Sequence, residues 1–281
     1  MLRQTHFVAP VPLLIARSMG LLERAGVKLH TTETRGSEEQ FAQLVGGQQD
    51  LAVTAIDNLF EWNQRGADAV VIAQIERTTP LTLFARSDIA DLPALTEGTF
   101  AVDALNNGFS LAARSVLGRA GVSVSFVEVG GVRERWEALA AGGVDATLLG
   151  PPFDTFATEL GLSRLAAIGD LIPGYPGQAL VVLRDALTRC RDELATYVGT
   201  LEAAARRSQT MSDVEGSGLL EASGFPPAAA ALMWRERACT LRAEPAGIDV
   251  IAGVRRDLNQ LPARYSGAAD LLDGSIMDGS V

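Results

Sequence analysis

Short apolar, β-branched runs alternate with stretches of helical periodicity from the first residues to about residue 184. Ten runs read as strands, at 4–8, 27–32, 51–55, 70–75, 81–85, 99–103, 123–129, 146–149, 165–168 and 179–183. Strands separated by helical patterns imply βαβ units and parallel sheets, because a parallel neighbour needs a crossover that carries the chain back to the same end. Past residue 183 the period is helical alone, clearest at 192–207, 227–238 and 248–258, with Pro226-Pro227 suited to a helix start. Ser37 and Gln40 have the spacing of a capping box ahead of Phe41 and Leu44. The Gly-, Asp- and Ser-rich stretch 266–281 reads as a loosely held tail.

The chain also matches itself at a constant offset of 95 residues. Gly26-Val27 falls on Gly121-Val122, Glu33 on Glu128, Gly36 on Gly131, Glu39 on Glu134, Leu44 on Leu139, Gly47 on Gly142 and Asp50 on Asp145. Shared apolar periodicity would explain the leucines of any two strand-helix-strand units. It does not explain Glu, Gly and Asp recurring in one register without a gap. Two related α/β units therefore follow, and in open parallel sheets ligands bind beyond the carboxyl ends of the strands.

A length of 281 residues accommodates two lobes, and a hydrophobic fraction of 47% supplies their cores. With 34 acidic against 24 basic residues the net charge is −10, which argues against nucleic acid or an anionic membrane surface as partner. No apolar run reaches the roughly 18 residues of a membrane-spanning helix, so no membrane insertion is expected. Cys190 and Cys239 lie in helical stretches without C-x-x-C spacing or histidine company; they read as buried free thiols, with no metal site and no cofactor. The opening residues lack the charged and apolar regions of a signal peptide. As written the chain reads as cytoplasmic, or as periplasmic if an export signal lies outside it, and as a monomer.

Several spaced motifs then carry a resemblance. They are Pro10-Val11-Pro12-Leu13-Leu14-Ile15-Ala16-Arg17 with Gly20-Leu21-Leu22, Gly47-Gln48-Gln49-Asp50-Leu51-Ala52-Val53, Leu139-Ala140-Ala141-Gly142-Gly143-Val144-Asp145-Ala146 with Gly150-Pro151-Pro152, and Tyr175-Pro176-Gly177. Over about residues 5–185 the chain resembles the nitrate, sulfonate and thiamine-pyrimidine-precursor group of type II periplasmic binding proteins. The resemblance implies an α/β fold of two Rossmann-like lobes with parallel-rich sheets, joined by two crossing strands and followed by a helical C-terminal segment. Lobe one would hold residues 1–85 and 179–281, lobe two residues 86–178, and 81–85 and 179–183 would be the crossings. The implied function is capture of a small solute by hinge closure, with an ABC-type permease as partner.

Loops at the carboxyl ends of the strands are the expected cleft. In lobe one they contribute Phe7, Pro10, Arg35, Thr54, Asn58 and Arg77; in lobe two Asn107, Phe109, Ser110, Gly130, Pro152 and Phe153; Tyr175 stands beside the return crossing. Arg35 and Arg77 suit bidentate contact with an anion, and Phe109, Phe153 and Tyr175 suit stacking on a planar ligand. Tyr175 and Asn58 are the leading residues, in an apolar or aromatic pocket of roughly 300 to 1,000 Å³. An amphipathic or planar ligand with at most one anionic group fits this set. Two other functions remain open: an enzyme on the same fold, for which His6 is the available base, and a cytoplasmic ligand sensor.

Overall fold

The computed structural model describes residues 1–106 and 108–278. Among them are ten strands, each overlapping one of the ten apolar runs: β1 (Leu2–His6), β2 (Leu29–Glu33), β3 (Leu51–Ala55), β4 (Ala69–Gln74), β5 (Thr82–Ala85), β6 (Thr99–Val102), β7 (Ser125–Glu128), β8 (Ala146–Leu149), β9 (Ser163–Ala167) and β10 (Gln178–Leu183). They form two five-stranded sheets of matching topology, β2-β1-β3-β10-β4 and β7-β6-β8-β5-β9. In each sheet the first three strands are parallel. The fourth, β10 or β5, runs antiparallel to both its neighbours.

That fourth strand is exchanged between the units, so the chain passes from one sheet to the other twice. Residues 81–85 and 179–183, expected as the crossings, lie within the sheets instead: β5 pairs with β8 and β9 in the second, and β10 with β3 and β4 in the first. The crossovers are residues 75–81 and 168–177. Strands β4 and β10 are almost wholly buried and nearly continuous in Val, Ile, Leu and Ala, as strands covered on both faces must be.

The repeat is visible in the elements themselves. The helix Ser37–Val45 has its counterpart at Val132–Ala140, the same span displaced by 95 positions. Gly26 and Gly121 have φ of 68° and 69°, and Gly47 and Gly142 have 66° and 72°, a left-handed backbone that glycine adopts without a Cβ penalty. Asp50 accepts the backbone N–H of Arg3 at 2.9 Å, and Asp145 that of Thr99 at 2.7 Å, so each clamps the start of the central parallel strand. The capping box does not form. Gly36 occupies the N-cap, the Ser37 hydroxyl has no partner among the described residues, and Gln40 donates instead to Val53 O at 3.0 Å.

The C-terminal helices Arg191–Ser208, Asp213–Ala222 and Pro227–Arg235 pack with Val11–Ser18 on one face of the first sheet. The helix Pro245–Asp257 shares a continuous core with both sheets. The tail is more firmly held than its composition suggests. Val71 donates to Leu271 O at 2.8 Å, Asp273 donates to Val71 O at 2.9 Å, and Ile276 is buried, so residues 271–276 dock on β4. Both thiols are free, as expected, but neither is buried: Cys190 is half-buried between the helices Arg184–Arg189 and Arg191–Ser208, and Cys239 is exposed in the loop after Pro227–Arg235.

His6 ends β1 in the interior, its Nδ1 3.2 Å from Gln4 Nε2, while Gln4 Oε1 accepts from Tyr197 OH at 2.6 Å. Burial, with the nearby charge of Arg17, lowers its pKa from 6.5 to about 4. The folded state thus keeps the ring neutral where the unfolded chain protonates it. The stability it contributes is complete above pH 6.5 and is lost as pH falls toward 4, by as much as about 3 kcal/mol. Denaturant unfolding at several pH values should therefore show wild type losing more stability over this window than His6→Asn; parallel curves would contradict the assignment.

Candidate functional site

The carboxyl ends of β1, β3 and β4 face those of β6 and β8 across a cavity of about 130 Å³. This is smaller than the expected pocket and close to the size of a cavity that holds benzene. Its wall is largely apolar, with Phe7, Pro10 and Ile75 from the first unit, Phe109 and Val132 from the second, and Met233 from the C-terminal helices.

Of the residues expected in the cleft, Phe7, Pro10, Asn58, Phe109 and Ser110 line the cavity. Asn58 opens the helix Asn58–Gln64 and donates to Thr54 Oγ1 at 2.8 Å, so Thr54 lies beneath the wall as its support. Gly108 has φ of 63°, and a Cβ there would stand 2.8 Å from Asn58 Oδ1; glycine lets the second unit's loop close on Asn58. Asn107 lies outside the described residues.

The remaining expected residues are elsewhere. Arg35 is exposed and meets the second unit only through its carbonyl, which accepts from Gly131 N at 2.6 Å. Gly130 stands beside this contact, outside the wall. Arg77 turns outward to pair with Glu244, both side chains in solvent reach. Pro151, not Pro152, reaches the cavity. Phe153 is buried in the second unit's core against Phe156, ring centroids 5.8 Å apart. Tyr175 is 2% exposed and packs on Phe109 at 6.3 Å, in the core and not on the wall. An aromatic side chain gains more from full burial than from a half-exposed place in a cleft, which accounts for both displacements.

The wall also carries five charged residues: Arg135, Asp103 and Glu76, with Glu236, which pairs with Arg235 at 3.3 Å, and Arg237, which donates to Ser208 and to Trp234 O. Arg135, on the inward face of the helix Val132–Ala140, is 7% exposed. Its Nε donates to Gly131 O at 3.2 Å, the one hydrogen bond its side chain makes among the described residues, and the two terminal nitrogens are left to the cavity. Burial pushes its pKa below the ordinary arginine value, and the charge of Asp103 opposes this without a hydrogen bond between them. Asp103, at the end of β6, accepts the Ser37 N–H at 3.0 and 3.2 Å across the cleft. Glu76, on the first crossover, accepts from Gln178 N at 3.0 Å and Gln178 Nε2 at 3.1 Å at the start of β10. Burial raises the pKa of both carboxyls. A sequence signal for Arg135 existed: at the repeat offset it falls on Gln40, a fully buried amide, so its position faces inward in both units.

Further links fasten the two units together. Arg255 is buried and paired with Asp57, Nε to Oδ1 at 2.6 Å and Nη2 to Oδ2 at 2.9 Å, while Nη2 also donates to Asn106 O at 3.3 Å in the second unit's loop. Arg119 meets Asp257 at 3.2 Å, and Arg133 meets Glu33 at 3.5 Å. Neither His6, Lys28 nor either cysteine lines the cavity. Among the described residues no group of His, Cys, Asp and Glu is arranged to hold a metal ion, and no helix is long and apolar enough to cross a membrane.

Residues 9–159, more than half of the chain, match the family described as NMT1/THI5 like. No match was found among curated proteins compared by sequence. Solved structures share the fold along the whole chain. The ligand binding component of an ABC-type import system from Staphylococcus aureus, with zinc bound, has a TM-score of 0.84 at 14% identity, covering 100% of this chain and 98% of that one. The alkanesulfonate-binding protein SsuA from Xanthomonas axonopodis pv. citri, bound to MOPS, gives 0.77 at 22% identity, covering 97% and 98%. The periplasmic nitrate-binding protein NrtA from Synechocystis PCC 6803 gives 0.81 at 12% identity, covering 99% and 87%.

Proposed function

Since the chain belongs to the NMT1/THI5-like family, we propose that it is the solute-binding component of an ABC-type importer, taking a small molecule with an anionic group into the cavity between its two sheets. The observation that carries this reading is Arg135, a buried guanidinium on the cavity wall whose terminal nitrogens lack a protein acceptor. A buried charge is stable only when paired, and the planar fork of the two terminal nitrogens, Nε being taken by Gly131 O, matches a carboxylate or sulfonate. The sulfonate- and nitrate-binding proteins of the same fold, and the import component from Staphylococcus aureus, support the class of solute and the partnership with a permease. The apolar wall and the volume favour a ligand with a compact hydrocarbon or ring body.

In this reading the sheets are the cores of two lobes, residues 1–74 with 178–278 and residues 82–167, which swing about the two crossovers. A ligand touching both walls favours the closed arrangement, and the links from Ser37 to Asp103, Arg35 to Gly131 and Arg255 to Asn106 hold it.

A thermal-shift screen of small carboxylates, sulfonates and inorganic anions tests this. A ligand at a hundredfold excess over its Kd stabilises the fold by about 2.7 kcal/mol. At roughly 2 to 4 °C per kcal/mol the melting point should rise by about 5 to 11 °C. The ligand should be recovered chemically unchanged. Conversion of the ligand, abolished by Glu76→Gln, would replace this reading with an enzyme.

A further inference from the structure

The wall opposite Arg135 carries its own unanswered charge. Glu76 lies on the first crossover and lines the cavity. Each of its oxygens takes one hydrogen bond, both from neutral N–H groups of Gln178. No cation among the described residues pairs with it: the adjacent Arg77 points away to Glu244, Arg237 on the same wall is held by Ser208 and Trp234 O, and Arg135 belongs to the second unit, where the charge of Asp103 acts on it. The placement is specific. A Cβ at Gly177 would come within 2.5 Å of the Glu76 Cβ and 2.6 Å of its Oε2, so only glycine lets the return crossover run tightly against this carboxylate.

A carboxylate in an apolar wall is unfavourable unless a partner returns its lost hydration, and two neutral donors leave half of its lone pairs unused. With Asp103 taken up by Ser37, Glu236 by Arg235 and Arg237 by Ser208 and Trp234 O, the wall's unanswered charges are the Arg135 guanidinium from one unit and the Glu76 carboxylate from the other. A bare anion would satisfy the first and be repelled by the second. A molecule with an anionic group at one end and an ammonium or amidinium at the other satisfies both at once, and can do so only when the two units are closed around it.

We propose that Glu76 is a specificity-determining residue that recognises a cationic N–H donor on the ligand, so that the solute is a small zwitterion, oriented with its anionic group on Arg135. This rests on the cavity being the solute site. It makes closure a test of both ends of the ligand, since each charged group belongs to a different unit.

The test uses matched pairs that differ in the amine alone: 4-(aminomethyl)benzoate against 4-methylbenzoate, and 5-aminopentanoate against pentanoate, titrated calorimetrically into the full chain. The amine-bearing member of at least one pair should bind at least tenfold more tightly to the wild-type protein. Glu76→Gln should erase that advantage, weakening the amine-bearing member and tightening the amine-free acid as the repulsion is removed. The variant should fold, because a glutamine amide there can still accept from Gln178 N and can donate to Gln178 Oε1, which has no partner among the described residues. The wild-type comparison alone reads the preference without the variant. Equal affinities within both pairs, or a preference that survives Glu76→Gln, would overturn the proposal. Amine-free acids that bind wild type but not Arg135→Gln would show that the solute-site reading stands without it. No binding of any probe would overturn both.

Discussion

Arg255→Met should lower the stability of the protein by about 3 to 5 kcal/mol, the usual consequence of removing one partner from a buried ion pair. Asp57 and Arg255 are each 1% exposed at the side chain. Burial already raises the Asp57 pKa despite the guanidinium beside it, so its carboxylate is tolerated only through that contact. The same arginine donates to Gln260 O at 3.1 Å and to Asn106 O at 3.3 Å, tying the helix Pro245–Asp257 to both units. At roughly 2 to 4 °C per kcal/mol the melting point should fall by about 6 to 20 °C. The double variant Asp57→Asn with Arg255→Met should recover much of the loss, because the uncompensated charge is then gone. A single variant that melts with wild type would show that the pair does not hold the units together.

Much of this architecture could be read from residues alone. Strands announce themselves where both faces are covered, as in the apolar run of β10, and the 95-residue offset fell on real structural positions because Asp50 and Asp145 perform one task in two places. Other features depend on partners far away in sequence. Nothing local in residues 81–85 says that β5 pairs with β8 and β9 rather than crossing between sheets. The tail at 271–276 looks polar, yet a few backbone bonds to Val71 dock it. Ser37 and Gln40 have capping spacing, but in the folded protein Ser37 N meets Asp103, 66 residues away, and Gln40 meets Val53 O.

The site was legible in outline and not in its charges. Loops at strand ends did supply Phe7, Pro10, Asn58, Phe109 and Ser110 to the wall. The arginines chosen there, Arg35 and Arg77, had solvent available and took it, whereas Arg135 is confined by its helix face, and only the repeat marks that face as inward. Glu76 stands beside Arg77 in the sequence; which of the two turns inward is decided by Gln178 at the start of β10.

Arg135→Gln should nearly abolish binding of the solute while leaving the fold intact. Two charge-assisted hydrogen bonds to a carboxylate or sulfonate would be lost, about 3 kcal/mol or more, which weakens binding at least a hundredfold. The variant should fold because the first unit already carries glutamine at the equivalent place: Gln40 is fully buried and its amide donates to Val53 O. At position 135 a glutamine would meet the equivalent β8 backbone with no guanidinium to bury, while Asp103, whose pKa burial already raises, keeps its hydrogen bonds from Ser37 N. The most direct measurement is calorimetric titration of the best ligand from the thermal screen into wild type and Arg135→Gln side by side, with melting curves to confirm that both are folded. Saturable binding to wild type and at least a hundredfold weaker binding to the variant is the expected result. Equal affinity of the two proteins would contradict it and place the solute somewhere other than the cavity between the sheets.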